Sequence, residues 1–514
     1  MVSLFFIIFL GKPSWFLGIS LQREANYELS IINYQLSIKN YELVNITLIY
    51  MKKLLLSIFA ILAVSVNAQN PIIKGLYSAD PTARVFNGKL YVYPSHDIIS
   101  PVEPERKWFC MADYHVYTTD NLTDWQDLGM ILDQKDVPWG NPTSYSMWAP
   151  DCIEKDGKYY FFFPANVKDG RGFGIGIAEA DKPEGTFKAW KKNIEGISGI
   201  DPCVIQGYDG KWYIYWGGGG LIAAQLKDDF SGLADDTPKQ EISFGDRKMT
   251  RVGVDVAATL PKAGLMEGPF AFKRGGKYYL TYPWVRGKAG DLGPDGKPSD
   301  NHTECLAYAM SDNPLGPFEY KGIIMQESPT GCWTNHHSIV EYEGQYYLFY
   351  HHNDYSVDFD KNRSVRVDSL FFNADGTIRE VQPTLRGVGV TKATSQINID
   401  RYTSIAGAAI DFIDPAVPFD GWKTIFTKCS DRVTYNTVDF GEGVKEVTLR
   451  VNAVKNNATL TICADGVKLA KVTLQDAAVW TEQTFSLATG TNGVHNITVT
   501  LDGGTAEVDW ISFR

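Results

Sequence analysis

Cysteine is sparse: seven residues in 514, scattered singly, with no CxxC pair anywhere. Without such a pair no zinc site is expected. An odd number spread over a large chain is also no disulfide framework, so at most a few of them pair. Excess positive charge is missing too. The net charge of -11 argues against nucleic acid or an anionic membrane surface as partner, and suits a neutral ligand. No membrane span is expected, because the apolar run Leu54–Val64 is too short to cross a bilayer.

That run has another reading. "MKKLLLSIFAILAVSVNAQ" begins at Met51 with a basic start, an apolar centre and a small-residue end at Val66-Asn67-Ala68. It reads as an export signal over 51–68, cut after Ala68, which makes the mature protein secreted or periplasmic. Ahead of it, "NYELSI", "NYQLSI" and "NYELVN" start at Asn26, Asn33 and Asn40. This seven-residue repeat is short for a coiled-coil seam. The expectation is that residues 1–50 are an extension in front of the real start at Met51.

Aromatic residues are plentiful at 13%, with 13 Trp, 27 Tyr and 27 Phe. Such rings favour β-strands and also stack on sugar rings. They cluster after a recurring turn: "FNGKLYVYPS", "KDGKYYFFFPA", "YDGKWYIYWGG", "RGGKYYLTYPW" and "YEGQYYLFYHH". The turn glycines Gly88, Gly157, Gly210, Gly276 and Gly344 stand 69, 53, 66 and 68 residues apart. A glycine turn followed by an aromatic, strand-favouring run is a hairpin tip, and each interval is long enough for about four strands. Helical periodicity is absent. Five strand-rich repeats predict a five-bladed β-propeller over 69–390, the fold class being all-β.

The segment before each turn is then the inner strand of a blade, and its start faces the central axis. Four of these starts carry an acid: Asp80, Asp151, Asp201 and Glu267. The fifth carries His336. Singly, an Asp before Pro or a Glu before Gly is an ordinary turn residue. Together they bring like charges to one funnel, a cost that proteins bear chiefly for chemistry or for a cation.

At these residues the chain resembles glycoside hydrolase family 43, through "SADPTARVFNGKLYVYPSHD", "SMWAPDCIEKDGKYYFFF", "GIDPCVIQGYDGKWYIYW", "LMEGPFAFKRGGKYYLTY" and "NHHSIVEYEGQYYLFYHH". The resemblance implies a five-bladed propeller and an inverting hydrolase of α-L-arabinofuranosides, β-xylosides or galactans. It implies Asp80 as general base, Glu267 as general acid and Asp201 as the carboxylate that orients the acid. An ionised Asp201 would raise the pKa of Glu267. No cofactor is required for the chemistry. By the same resemblance His336 is an axial histidine that helps hold a cation or water, with His337 the competing candidate. Trp148, Trp216 and Trp284 are candidates to stack on sugar, Asp151 is a scaffold or pocket-wall carboxylate, and Arg363 or Arg366 reaches in from the last blade. Loops Pro101–Asp113 and Gly287–Glu304 would set the subsites.

After Pro383 the repeat stops. Short alternating strands such as "EVTLRVNAV" and "HNITVTLDGG" predict a β-sandwich over 391–514. It resembles a family 6 carbohydrate-binding module, which implies a structural Ca2+ with Asp509 among its ligands. Ser430-Asp431-Arg432 stands where many such modules read Gly-Asp-Trp, so a sugar-stacking aromatic is missing there. The expected function is release of α-L-arabinofuranosyl residues from arabinoxylan or a related plant cell-wall polysaccharide or oligosaccharide. The alternatives are a β-xylosidase or galactan-active enzyme, and, in another class, a non-catalytic sugar-binding propeller.

Overall fold

The computed structural model describes residues 69–101, 108–170, 172–244, 247–261, 264–287 and 303–514. The expected extension 1–50, the expected export signal 51–68 and parts of the loops Pro101–Asp113 and Gly287–Glu304 lie outside the described residues.

Hydrogen bonding sorts the first part of the chain into antiparallel blades. The first blade is β1 (Tyr77–Phe86), β2 (Lys89–Asp97), β3 (Met111–Thr119) and β4 (Gln126–Asp133). The second is β5 (Asp151–Lys155), β6 (Lys158–Asn166), β7 (Phe173–Ala180) and β8 (Lys188–Ala189). The third runs β9 (Ile200–Gln206), β10 (Trp212–Gly217) and β11 (Ile222–Gln225). A separate hairpin, β12 (Lys239–Phe244) and β13 (Arg247–Val252), then intervenes before β14 (Val254–Asp255) completes that blade. The fourth is β15 (Phe270–Arg274), β16 (Lys277–Trp284), β17 (Cys305–Ser311) and β18 (Glu319–Met325). The fifth is β19 (His337–Tyr342), β20 (Gln345–His352) and β21 (Ser364–Leu370).

The strands β1, β5, β9, β15 and β19 touch one another in that order, and β19 closes on β1. These are the segments in front of the repeated turns, so the propeller has five blades and its inner ring is the one expected. The turns fit their residues. Asn87-Gly88 links Phe86 to its partner Lys89 with φ of 51° and 77°, and Asp156-Gly157 and Glu343-Gly344 repeat this geometry. Both central residues of such a hairpin need positive φ, which Asn, Asp and Gly tolerate best. The last blade is sealed from the front of the chain. The Ile72 N–H donates to the Val365 carbonyl (2.9 Å), and the Asn70 side chain bonds both the carbonyl and the N–H of Val367. Most of the aromatic excess packs between blades, where Tyr93, Phe161, Tyr215, Tyr282 and Tyr350 are fully buried.

Residues 391–513 form a ten-stranded hydrogen-bonded network, consistent with a β-sandwich. Its two long strands, Glu446–Ala464 and Val494–Phe513, run through the whole of it over one aliphatic core. It docks on the propeller through Tyr355 stacked on Trp422 (ring centroids 4.7 Å apart) and Gln69 donating to the Tyr435 hydroxyl. No disulfide joins the cysteines among the described residues. Among the described residues no helix is long and apolar enough to cross a membrane.

Candidate active site

The funnel of the propeller narrows to a cavity of about 110 Å³ whose walls include Asp80, Asp201, Glu267, Glu304, His336 and Arg363. Asp80 and Asp201 reach it by the same backbone device. Each precedes a proline and has positive φ, 50° and 56°, in the left-handed region that side chains rarely adopt. The pairing register slips at both places, between Ala79 and Thr82 on β1 and beside Ile200 where β9 meets Gly217. A bulge of this kind re-aims a side chain, and strained backbone of this kind collects at functional sites. Glu267 sits in the loop before β15, followed by Gly268 at φ 51°. A Cβ on Gly268 would stand 2.8 Å from His336 Nδ1 and 3.0 Å from Pro283, so the glycine lets Glu267 and His336 share the funnel.

Asp80 is gripped from all sides. Arg363 donates to both carboxylate oxygens (Nη1 to Oδ1 2.8 Å, Nη2 to Oδ2 3.2 Å), and the Ser95 hydroxyl donates to Oδ2 (2.6 Å). Its backbone N–H donates to His351 Nδ1, whose Nε2 faces the Thr334 carbonyl. Arg363 also binds Asp97 through Nε and Nη2, both at 2.9 Å. Burial pushes the Asp80 carboxyl up, but Arg363, then His351, His336 and Ser95, overcome it and hold the group at about 2. It is an anion at any working pH.

The other carboxyls go the opposite way. Burial and the nearby charges of Glu267 and Asp80 hold Asp201 well above the usual carboxylate range, against the Gly268 N–H that faces it. Burial raises Glu267, and the charge of Asp80 adds to this, opposed by the neighbouring Glu304 carboxyl and by Arg363. Burial is the first cause at both Asp201 and Glu267, Asp80 adds to it, and the two carboxyls disfavour each other's charge. His336 is lowered to about 4 by burial, against the pull of Asp80, and is a neutral imidazole.

Glu304 is the residue that the sequence did not reveal. It is fully buried just before β17, accepts a bond from the Asn335 N–H (2.8 Å), and faces Glu267. It lies outside the repeated pre-turn position, and no local motif marks it. Burial and the charge of Glu267 hold it well above its ordinary 4.5. A folded-state value above the unfolded one means that stability falls as pH rises past the unfolded value. Glu304→Gln, which cannot ionise, should therefore raise Tm at pH 7, and the gain should vanish below pH 4.5. Its amide still donates towards Glu267, so Glu304→Gln should keep far more activity than Glu304→Ala. Equal losses in both variants would remove Glu304 from the positioning of the acid.

An aromatic rim surrounds the carboxyls: Trp108, Phe109, Trp148 and Trp333. Phe109 packs edge-on against Trp148 (5.8 Å), and the Arg363 guanidinium lies 5.0 Å from the Phe109 ring. Trp148 thus lines the cavity as expected.

Several expected residues do not. Asp151 is fully buried and clasped by Arg84 (2.7 Å), with the Cys152 and Val204 N–H groups also donating to it. It sits at a regular position of β5 opposite Phe162, without the bulge that turns Asp80 and Asp201 to the axis. Trp216 and Trp284 belong to β10 and β16, the second strands of their blades, and are buried in the packing outside the inner ring. Arg366, three residues after Arg363, points away and pairs with Asp354 in a separate cavity of about 690 Å³ at the junction with the C-terminal sheet. His336, not His337, lines the funnel; His337 is buried beside it with Nε2 2.6 Å from the Thr281 hydroxyl. Neither histidine joins a group of three metal-ligating side chains among the described residues. Asp509 is ion-paired with Arg450 and faces the Asn398 amide, and burial, with the charge of Asp509 adding to it, raises the Asp400 carboxyl nearby. Asp431 caps its own loop, accepting from the Thr427 and Lys428 N–H groups (2.8 Å each).

Comparison with known proteins agrees with this architecture. The model of the family described as glycosyl hydrolases family 43 matches residues 68–378. Residues 411–513 match carbohydrate-binding module family 35, in place of the family 6 resemblance. A xylosidase/arabinosidase 43A of Humicola insolens is 36% identical over 346 residues, covering 61% of this chain and 99% of that protein. A β-xylosidase of Xylanibacter ruminicola is 38% identical over 334 residues, covering 60% of this chain and 97% of that protein. A solved β-xylosidase/α-arabinofuranosidase from a compost microbial metagenome, in complex with xylotriose in a calcium-free form, is 33% identical. It covers 61% of this chain and 97% of that chain, with a TM-score of 0.48.

Proposed function

The chain belongs to glycosyl hydrolase family 43, and from that premise we propose that it is an inverting, exo-acting pentosidase on xylan-type substrates. It removes terminal α-L-arabinofuranosyl residues from arabinoxylan or its oligosaccharides. A second activity, release of terminal β-xylosyl residues, is favoured by the names of the relatives, one a β-xylosidase and one a xylosidase/arabinosidase. The observation that carries the reading is the opposite electrostatic fate of two carboxyls in one small cavity. Asp80 is held ionised and Glu267 is pushed towards the protonated form.

That division of labour is the one single displacement needs. Asp80 orients a water by one lone pair and takes its proton as the water attacks the anomeric carbon. Glu267 gives its proton to the departing glycosidic oxygen, so the second sugar leaves as a neutral alcohol. Asp201, whose ionisation is disfavoured by burial and by Glu267 and Asp80, and Glu304 hold Glu267 in place. The volume suits one pentose ring and the rim aromatics suit its faces, which supports removal of one residue at a time. The export-signal pattern read from Met51 onwards supports work outside the cytoplasm.

The test is hydrolysis of aryl α-L-arabinofuranoside, aryl β-xyloside and arabinoxylan. The expected result is turnover of one or both aryl glycosides and release of monosaccharide alone from the polymer. Binding of xylan without turnover of any of them would favour the sugar-binding propeller. Oligosaccharides as first products would overturn exo action.

A further inference from the structure

The first blade carries a second constellation of chemical groups, separate from the funnel. We propose that His96, Asp113 and His115 form a binding site for one divalent transition-metal ion of the zinc type. Their ligand atoms all lie within 4.8 Å of one another. His96 Nδ1 is 2.9 Å and His115 Nε2 is 3.5 Å from the same oxygen, Asp113 Oδ1. Metal–ligand bonds of about 2.0–2.2 Å in a tetrahedral site place donors roughly 3.3 Å apart, so small side-chain adjustments admit an ion. Asp113 and His115 share one face of β3 by strand alternation, and His96 comes from the adjacent β2. The two imidazoles meet edge to face, with centroids 5.4 Å apart. All three side chains are half-buried.

A plain hydrogen-bonded pair explains His96 and Asp113, while His115 makes only looser contacts, with the Asp113 and Asp127 carboxylates and the Tyr117 ring. Its Nδ1 is buried without a hydrogen-bond partner, 3.7 Å from Asp127 Oδ1, while its Nε2 makes only the 3.5 Å contact. With an ion on Nε2, the Nδ1–H points at a fixed carboxylate, since Asp127 Oδ1 is already anchored by the Gly129 N–H (2.7 Å). Carboxylate–histidine–metal is the arrangement by which proteins orient a metal-bound imidazole. Two nitrogens and one oxygen suit zinc or a neighbouring transition metal, not calcium or magnesium, which take oxygen donors. Water fills the remaining position.

The experiment is calorimetric titration of Zn2+ into the untagged, chelator-treated chain, with the Zn2+-induced rise in Tm as second readout. One ion per chain is expected. His115→Gln and Asp113→Asn, each checked for cooperative unfolding, should weaken binding more than about 100-fold and abolish the Tm rise. Asp127→Asn should weaken it about 10–100-fold. Cys429→Ser and Glu267→Gln, which test the exposed thiol and the funnel as rival sites, should leave it unchanged. No saturable binding to the wild type, or binding that survives His115→Gln and Asp113→Asn, overturns the proposal.

Discussion

Asp80→Asn should lower kcat by about 10²–10⁴-fold on every substrate, whatever its leaving group. An amide cannot take the proton of the attacking water, and that step is needed in each case. Glu267→Gln should lose as much on xylo-oligosaccharides and alkyl glycosides but much less on dinitrophenyl glycosides. Dinitrophenolate departs without being protonated, so the missing acid matters little. The contrast separates the two roles, because a merely structural lesion would depress all substrates alike. In the wild type the alkaline limb of activity belongs to Glu267, since the protonated form is the active one and its pKa is raised. The acid limb from Asp80 lies near pH 2, below the range in which such a fold is ordinarily assayed. Steady-state kinetics across a leaving-group series checks both statements. Equal losses for the two variants on all substrates would reverse or remove the assignment.

Arg363→Met should cost stability on the scale of a broken buried ion pair, about 3–5 kcal/mol. Arg363 is 2% exposed and compensates two buried carboxylates, Asp80 and Asp97. The sign for Asp80 follows from linkage. Its folded value of about 2 lies below its ordinary 3.8, so it adds stability above 3.8 that is lost as pH falls through 2. Without Arg363, burial dominates, the folded value rises, and an ionised Asp80 costs stability at neutral pH. Two consequences follow. The acid limb of kcat/KM should move up into the assay range, and adding Asp80→Asn to Arg363→Met should restore part of the lost stability. Urea unfolding of the two variants measures the second effect; a double variant less stable than Arg363→Met would contradict it.

The fold was legible because its signal is repeated. Two-residue turns such as Asn87-Gly88 and the aromatic runs behind them mark the hairpins, and their spacing counts the blades. Asp80 and Asp201 were legible because an Asp-Pro pair sits eight and nine residues before a turn glycine. The comparable placement of Asp151, six residues before Gly157, misleads, since spacing does not reveal whether the strand bulges. Asp151 stays in register and faces Arg84 instead of the axis. Trp216 and Trp284 mislead for a related reason, because a sequence cannot say which face of a second strand meets the next blade. Glu304, Asp97 and His351 act through partners far away in the chain, and nothing local announces them. Asp509 is neutralised by Arg450 across the sheet, a pairing that the closing "VDWISF" cannot disclose.

The central claim is single displacement by a water held on Asp80, and the stereochemistry of the first product tests it most directly. Proton NMR of the wild type with aryl β-xyloside, or aryl α-L-arabinofuranoside, should show the inverted anomer before mutarotation sets in. A retained anomer as the first product would mean a covalent intermediate and would contradict the account.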